Sequence, residues 1–169
     1  DAHYNLGNIL RDLGKLNEAE ISYMKSIKIQ PNYSDAYFNL SLIQLQKENY
    51  ESGLENYEFR FKTKKPTVTH SNTKLKRIGN QELQKGEKLL VLSEQGLGDT
   101  LQFMRYIPYL NTLGLDVSFS AQRKLHTIIK SSNICCHPLT PEEASNFSEG
   151  KWLPLLSLPK YLKVRPENP

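Results

Sequence analysis

Two hydrophobic patterns divide the chain, and the first occupies roughly its first third. There, apolar or small residues recur every three or four positions, which is the spacing of one face of a helix. One such stripe consists of Leu6, Ile9, Leu10 and Leu13, and a second of Ala19, Tyr23, Ser26 and Ile27. The pattern predicts helices near residues 2–13, 17–29, 34–47 and 50–63.

The second pattern begins after residue 86, where short apolar runs alternate with helical spacing. The expected strands are 88–92, 115–119 and one beginning at 134–136, and the expected helices cover 100–110 and the residues around 125–129. Strands that alternate with helices predict a parallel sheet with right-handed crossovers. The later apolar run Trp152–Pro159 contains two prolines, which predict a loop or an edge element that lines this domain.

These patterns predict a multidomain chain. Helical repeats are expected over 1–64, a linker over 65–86, and a partial Rossmann-like α/β half over 87–169. The net charge of +4 comes from the basic residues of 65–90, a stretch without aromatic side chains. Nucleic-acid-binding surfaces usually interleave aromatic and basic residues, so a solvated linker is expected and no nucleic-acid partner.

An internal repeat gives the helical part a more specific identity. The run Asp35–Leu40 repeats Asp1–Leu6 after 34 residues, the period of the tetratricopeptide repeat, a pair of antiparallel helices. The chain resembles that family at Leu6, Gly7, Gly14, Leu16, Ala19, Tyr23 and Pro31. Such repeats present a concave groove to peptides, so a protein or peptide partner is expected. About three repeats are needed for stability, so upstream repeats or the following domain should cover the open face.

The loop Ser93–Phe103 lies where a buried strand is expected to become a helix, a place that often binds phosphate. The dinucleotide fingerprint needs a third glycine, but Leu101 stands there, and no acid lies near Gln122 to bind a ribose. A phosphate-binding P-loop needs lysine at the position of Asp99. Neither nucleotide motif is satisfied, so an NAD-linked enzyme is only a distant alternative. Asp99 could cap the helix, with Gln102 completing a capping box, or face the ligand crevice, and both roles stay open.

The same loop carries a second resemblance. The run Ser93–Tyr106, with its Glu-Gln-Gly-Leu-Gly-Asp core, resembles the signature of bacterial tetratricopeptide-linked glycosyltransferases. These enzymes have the two-lobed GT-B fold and are similar to heptosyltransferases and, more distantly, to O-linked N-acetylglucosamine transferases. Pro154–Pro159 and Tyr57–Arg60 also match this group. The chain departs from it at residues 78–80, where Ile-Gly-Asn replaces a Trp-Asp/Asn-Gly element.

The resemblance implies sugar transfer from a nucleotide-sugar to a protein or glycan acceptor. Asp99 would be the catalytic base on the acceptor hydroxyl. The residues around it would bind substrate: Glu94, Gln95, Gly96, Gly98, Thr100 and Gln102. The donor would be held mainly by a C-terminal lobe beyond Pro169, so the fragment alone is expected to be inactive. Neither an obligatory metal nor a cofactor is implied.

A non-catalytic interaction scaffold with a degenerate Rossmann-like domain is the rival hypothesis. In either case no apolar run approaches the roughly 18 residues of a membrane helix, and no signal peptide is apparent. A cytoplasmic piece of a longer protein is therefore expected. Cys135 and Cys136 with His137 lack metal-ligand spacing, and neighbouring residues of a strand point to opposite faces, so buried thiols are predicted.

Overall fold

The computed structural model describes residues 2–79, 81–135 and 137–164. The chain forms two compact units. The described part of the first comprises residues 2–67 together with Lys163 and Val164, and the second unit comprises Val68–Leu162. Most of the segment predicted as a linker therefore belongs to the second unit, where it supplies a strand.

The first unit consists of helices joined by tight turns. They are α1 (Ala2–Asp12), α2 (Leu16–Ile29), α3 (Ser34–Gln46) and α4 (Tyr50–Tyr57), followed by a 3-10 turn at Glu58–Phe61. The predicted helices are confirmed to within about a residue, except that the fourth was predicted to reach 63. Gly14, at φ +73°, adopts the left-handed conformation between α1 and α2, which glycine accepts without steric cost.

The core of this unit forms where α1 and α2 cross. Tyr23 is fully buried and lies so close to Gly7 that a Cβ atom on Gly7 would stand 2.6 Å from its ring. Ala19 and Tyr23 pack against Leu40 and Ile43 of α3. Small residues at positions 7 and 19 therefore permit the close approach of the helices, as the sequence predicts.

One part of the predicted core is wrong. Most of the first predicted stripe is exposed: Leu6 and Ile9 lie on the surface of α1, and Leu13 is exposed in the turn that follows it, whereas Leu10 packs against the core. The periodicity correctly predicts a helix with one apolar face. That face stays exposed because, in the part of the chain that the structure describes, no helix packs over it.

The second unit is built on a four-stranded parallel sheet. Its strands are β1 (Lys76–Arg77), β2 (Lys88–Leu92), β3 (Asp116–Ser120) and β4 (Lys151–Pro154), in the order β1-β4-β2-β3. The helices are α5 (Leu97–Phe103), α6 (Tyr106–Thr112), α7 (His126–Ser131), α8 (Pro141–Ser145) and α9 (Leu158–Tyr161). The predicted alternation of strands and helices is confirmed, and so is the parallel pairing.

Two predictions about the sheet are wrong. The segment Trp152–Pro159 was expected to be a loop or an edge, yet β4 lies between β1 and β2. Pro154 is tolerated because it is the last residue of that strand, opposite Leu92. The third strand does not begin at Ile134; Leu139 instead forms one parallel bridge with Ser120, and Cys136 lies outside the described residues.

The helix predicted over 100–110 is divided in two. Pro108 has no N–H to donate to the carbonyl of Met104, and the N–H of Ile107 bonds that carbonyl instead, at 3.0 Å. The chain therefore turns at Met104 and Arg105 before α6 begins. None of the described helices is both long enough and apolar enough to cross a membrane.

Candidate functional site

The carboxyl edge of the sheet is the place where parallel α/β folds bind ligands, and Asp99 lies there. Gly96, with extended backbone, is the N-cap of α5, and Asp99 is the third residue of that helix. The Gly96 N–H donates to Oδ2 of Asp99 at 3.0 Å. The prediction that Asp99 itself is the N-cap, with Gln102 closing a capping box, is therefore wrong, because the helix begins three residues earlier than that prediction requires, at Leu97.

The other residues predicted to bind substrate divide into buried and exposed ones. Glu94 is fully buried, and its Oε1 accepts the N–H of Leu156 at 3.1 Å. Thr100 is also buried and donates to Oε1 of Gln122 at 2.9 Å. The exposed ones are Gln95, Gly96, Gly98 and Gln102. Direct contact with a ligand is open to these four and to the half-buried Asp99, whereas Glu94 and Thr100 hold the loop in place.

Gln122 links the ends of two neighbouring strands. Besides accepting from Thr100, its Nε2 donates to the carbonyl of Gln95 at 3.4 Å. Gln95 has φ +61°, a conformation that is uncommon for any residue except glycine. A side chain at the end of β3 therefore supports the conformation of the loop that follows β2.

A segment that the sequence analysis missed crosses this edge. Thr69 forms an antiparallel bridge with Glu94, and the N–H of His70 donates to the carbonyl of Ser93 at 2.9 Å. The hydroxyl groups of Ser71 and Ser120 lie 2.6 Å apart, and both residues are buried. We call residues 69–71 the strap. The exposed His70 is the residue in the strap that could reach a ligand.

No sequence signal identifies the strap, since it lies in a segment without hydrophobic periodicity. Nor do its residues and those of the loop suggest a metal centre. Within the described residues, no group of three or more His, Cys, Asp or Glu side chains is arranged to hold a metal ion. Asp99 and His70 are the side chains at this edge that can form hydrogen bonds to a ligand and exchange a proton with it.

A second polar cluster lies in the first unit, between α1 and α3. Oδ1 of Asn8 accepts hydrogen bonds from the Tyr23 hydroxyl at 2.8 Å and from Nδ2 of Asn39 at 2.9 Å. Nδ2 of Asn39 also lies 3.2 Å from the Tyr4 hydroxyl. Burial raises the pKa of Tyr23 above its ordinary value, so this hydroxyl stays protonated and remains a donor.

Within the part of the chain that the structure describes, these bonds leave one group of each amide available. With Oδ1 of Asn8 engaged as acceptor, its Nδ2 can donate to a ligand, and Oδ1 of Asn39 can accept. Both residues are half-buried. We call Asn8 and Asn39 the amide pair. A neighbouring donor and acceptor match the N–H and C=O groups that every peptide backbone presents.

Comparison with known protein families identifies the first unit. Models of the tetratricopeptide repeat match residues 1–33 and residues 22–55. The helical unit therefore contains tetratricopeptide repeats, as the 34-residue period predicts. No curated protein matches the chain. The resemblance of the Ser93–Tyr106 run to glycosyltransferases stays a prediction.

Proposed function

We propose that the repeat unit binds an extended segment of a partner protein across α1 and α3. Tetratricopeptide repeats suggest protein–protein interaction, and the observation that supports this particular surface is the amide pair. Asn8 donates to a backbone carbonyl of the partner, and Asn39 accepts from a backbone N–H. The amide pair binds only the partner's backbone and does not distinguish its side chains. Side-chain preference comes from Tyr4, which neighbours the pair, and from the exposed Leu42 of α3.

The substitution Asn8→Asp tests this proposal because it changes one group. The new carboxylate still accepts from Tyr23 and Asn39, but the outward donor is lost. Peptides are selected from a random displayed library for binding to the wild-type protein. We expect Asn8→Asp to bind them more weakly by about 0.5–1.5 kcal/mol, with a further loss because the new carboxylate repels the backbone carbonyl of the peptide. Affinity is measured by titration calorimetry.

Asn5→Asp is the matched control, since Asn5 is exposed on the same helix and the change in charge is identical. It should leave affinity unchanged. The proposal is contradicted if no peptide is selected, or if both substitutions weaken the selected peptides equally.

A second candidate function concerns the α/β unit, which we propose to be the acceptor side of a sugar-transferring enzyme with a Rossmann-like, GT-B-type lobe. The observation that favours it is the state of Asp99. One of its oxygens is fixed by the Gly96 N–H, and no bond to the other is found among the described residues. A carboxylate oriented in this way can take the proton of a sugar hydroxyl as the new glycosidic bond forms.

Asp99→Asn separates this chemistry from helix stabilisation. An asparagine oxygen can still accept from Gly96, so stability should change by about 0.3–1 kcal/mol at most, the size of a helix-dipole contribution. Loss of a general base should lower the rate of sugar transfer by the full-length protein about 10²–10⁴-fold. Asp116→Asn, at the exposed opposite end of β3, is the control. Equal rates in wild type and Asp99→Asn would reduce Asp99 to a structural role.

A further inference from the structure

His70 is held in a defined orientation at the carboxyl edge of the sheet. Its backbone N–H bonds the carbonyl of Ser93, and its ring Nδ1 lies 3.2 Å from the Ser93 hydroxyl oxygen. Ser93 directly follows β2 and is the first residue of the loop that contains Asp99. The histidine residue is exposed, whereas the serine is fully buried. The imidazole is therefore held by Ser93 at Nδ1, its inner nitrogen, and is open to a ligand at Nε2, its outer nitrogen.

The buried serine also fixes the position of the ring proton. A buried hydroxyl hydrogen needs an acceptor, and Nδ1 of His70 is the one found for Ser93 in the described part of the chain. When the ring is neutral, Ser93 therefore donates to Nδ1, and the proton resides on Nε2. When the ring is protonated, Nε2 carries a proton as well. In both states the outer nitrogen is a hydrogen-bond donor.

We propose that His70 is a ligand-binding residue of the carboxyl edge, and that its Nε2 donates a hydrogen bond to an oxygen atom of the ligand. The inference rests on the proposed sugar-acceptor role of this edge and adds a second contact to it. It also excludes His70 as the ground-state base, because the nitrogen that faces outward already carries a proton. Proton acceptance then falls to Asp99.

The charges at the edge favour a neutral ligand that contains many hydroxyl groups. Asp99 repels an anion, and the nearby cation Arg123 forms an ion pair with Glu142 at 2.9 Å. A sugar offers hydroxyl hydrogens, which a carboxylate accepts, and hydroxyl oxygens, which accept from an imidazole N–H. Asp99 and His70 together thus supply the two complementary contacts that a sugar needs.

The position of the ring proton is the first test. In ¹⁵N-labelled protein, the ring nitrogen resonances should show neutral His70 protonated at Nε2. His126 serves as an internal reference, because its Nε2 bonds the Ala121 carbonyl at 3.0 Å and must carry the proton. Ser93→Ala should convert His70 to a mixture of both tautomers. A neutral His70 protonated mainly at Nδ1 would overturn the proposal.

Ligand contact is the second test, with methyl β-glucoside and inorganic phosphate as separate probes. We expect the glucoside to shift the His70 ring resonances saturably. Its Kd should rise about three- to tenfold in His70→Leu, the loss of one hydrogen bond. His70→Gln keeps a hydrogen-bond donor of similar reach. Its Kd for the glucoside should therefore lie closer to that of the wild type than the Kd of His70→Leu does. His137→Leu, at an exposed histidine, should not change binding.

The two probes separate this inference from the function on which it rests. A saturable shift of His70 with phosphate alone would support the donor role and contradict the sugar-acceptor function. A shift with neither probe, or equal effects of His70→Leu and His137→Leu, would overturn the inference.

Discussion

The two repeats carry similar residues 34 positions apart but bury them differently. Leu6 is 45% exposed, whereas its counterpart Leu40 is 4% exposed; Ile9 is 58% exposed, whereas Ile43 is 1% exposed. The difference arises because α3 packs against Ala19 and Tyr23 of the first repeat. A repeat sequence therefore specifies an apolar face, and only the neighbouring repeat decides whether that face becomes core.

The polar residues show the same contrast. Asn39 bonds Asn8 of the preceding repeat at 2.9 Å, whereas Asn5, its counterpart 34 residues earlier, is exposed. The amide pair is therefore a property of the junction between two repeats, and neither repeat could form it alone. A protein-binding surface of this kind needs adjacent repeats rather than a single motif.

The largest expected effect compares the two isoleucines directly. Ile43→Ala should destabilise the repeat unit by about 2–5 kcal/mol, because it leaves a cavity in the core. Ile9→Ala should change stability by about 0.5 kcal/mol or less, since Ile9 is exposed and alanine favours helix. Native-state hydrogen exchange of α2 and α3 amides measures both, with β2 amides as an unaffected reference. Equal losses of stability in the two variants would mean that the apolar face of α1 is covered in solution, and would contradict the difference in burial between the two repeats.

A smaller effect is expected at the seventh position of each repeat. Gly7→Ala places a methyl group against the Tyr23 ring, and overpacking costs about 1–3 kcal/mol. Helix propensity returns about 1 kcal/mol, so a net loss of up to about 2 kcal/mol is expected. Ser41→Ala, at the equivalent buried position, adds no atoms but removes the hydroxyl that donates to the Phe38 carbonyl at 2.6 Å, so a loss of about 0.5–1.5 kcal/mol is expected. The same exchange measurement checks both, and a stabilised Gly7→Ala would contradict the packing described.

Sequence patterns predict where the helices and strands of this chain lie better than they predict which elements pack beside each other. Helical spacing places α1 to α3 correctly, and the apolar run 88–92 coincides with β2. The position of β4 could not be predicted, because its partner strands lie far away in sequence and its prolines suggest an edge. Burial of α1 was predicted wrongly for the same reason, since it depends on a neighbour that the pattern does not identify.

The candidate sites differ in how visible they are to sequence reasoning. The glycine pair directs attention to Asp99, which lies at the carboxyl edge as expected, although as the third residue of α5 rather than its cap. His70 and Gln122 reach the same edge through the strap and the end of β3. Nothing in their local sequence indicates this, because only the pairing of the chain brings them to Ser93 and Thr100. The amide pair is equally hidden, since each asparagine acquires its role from the other repeat.

The central claim is that the junction of the two repeats binds peptide backbone, and the most direct measurement changes the peptide instead of the protein. A selected peptide is N-methylated at one bond at a time, and each Kd is determined by titration calorimetry. We predict that methylation at one bond, the one facing Asn39, weakens binding about three- to tenfold beyond methylation elsewhere. The effect of methylation at that bond on Kd should be the same in Asn5→Asp as in the wild-type protein. Uniform effects along the peptide would contradict recognition by the amide pair.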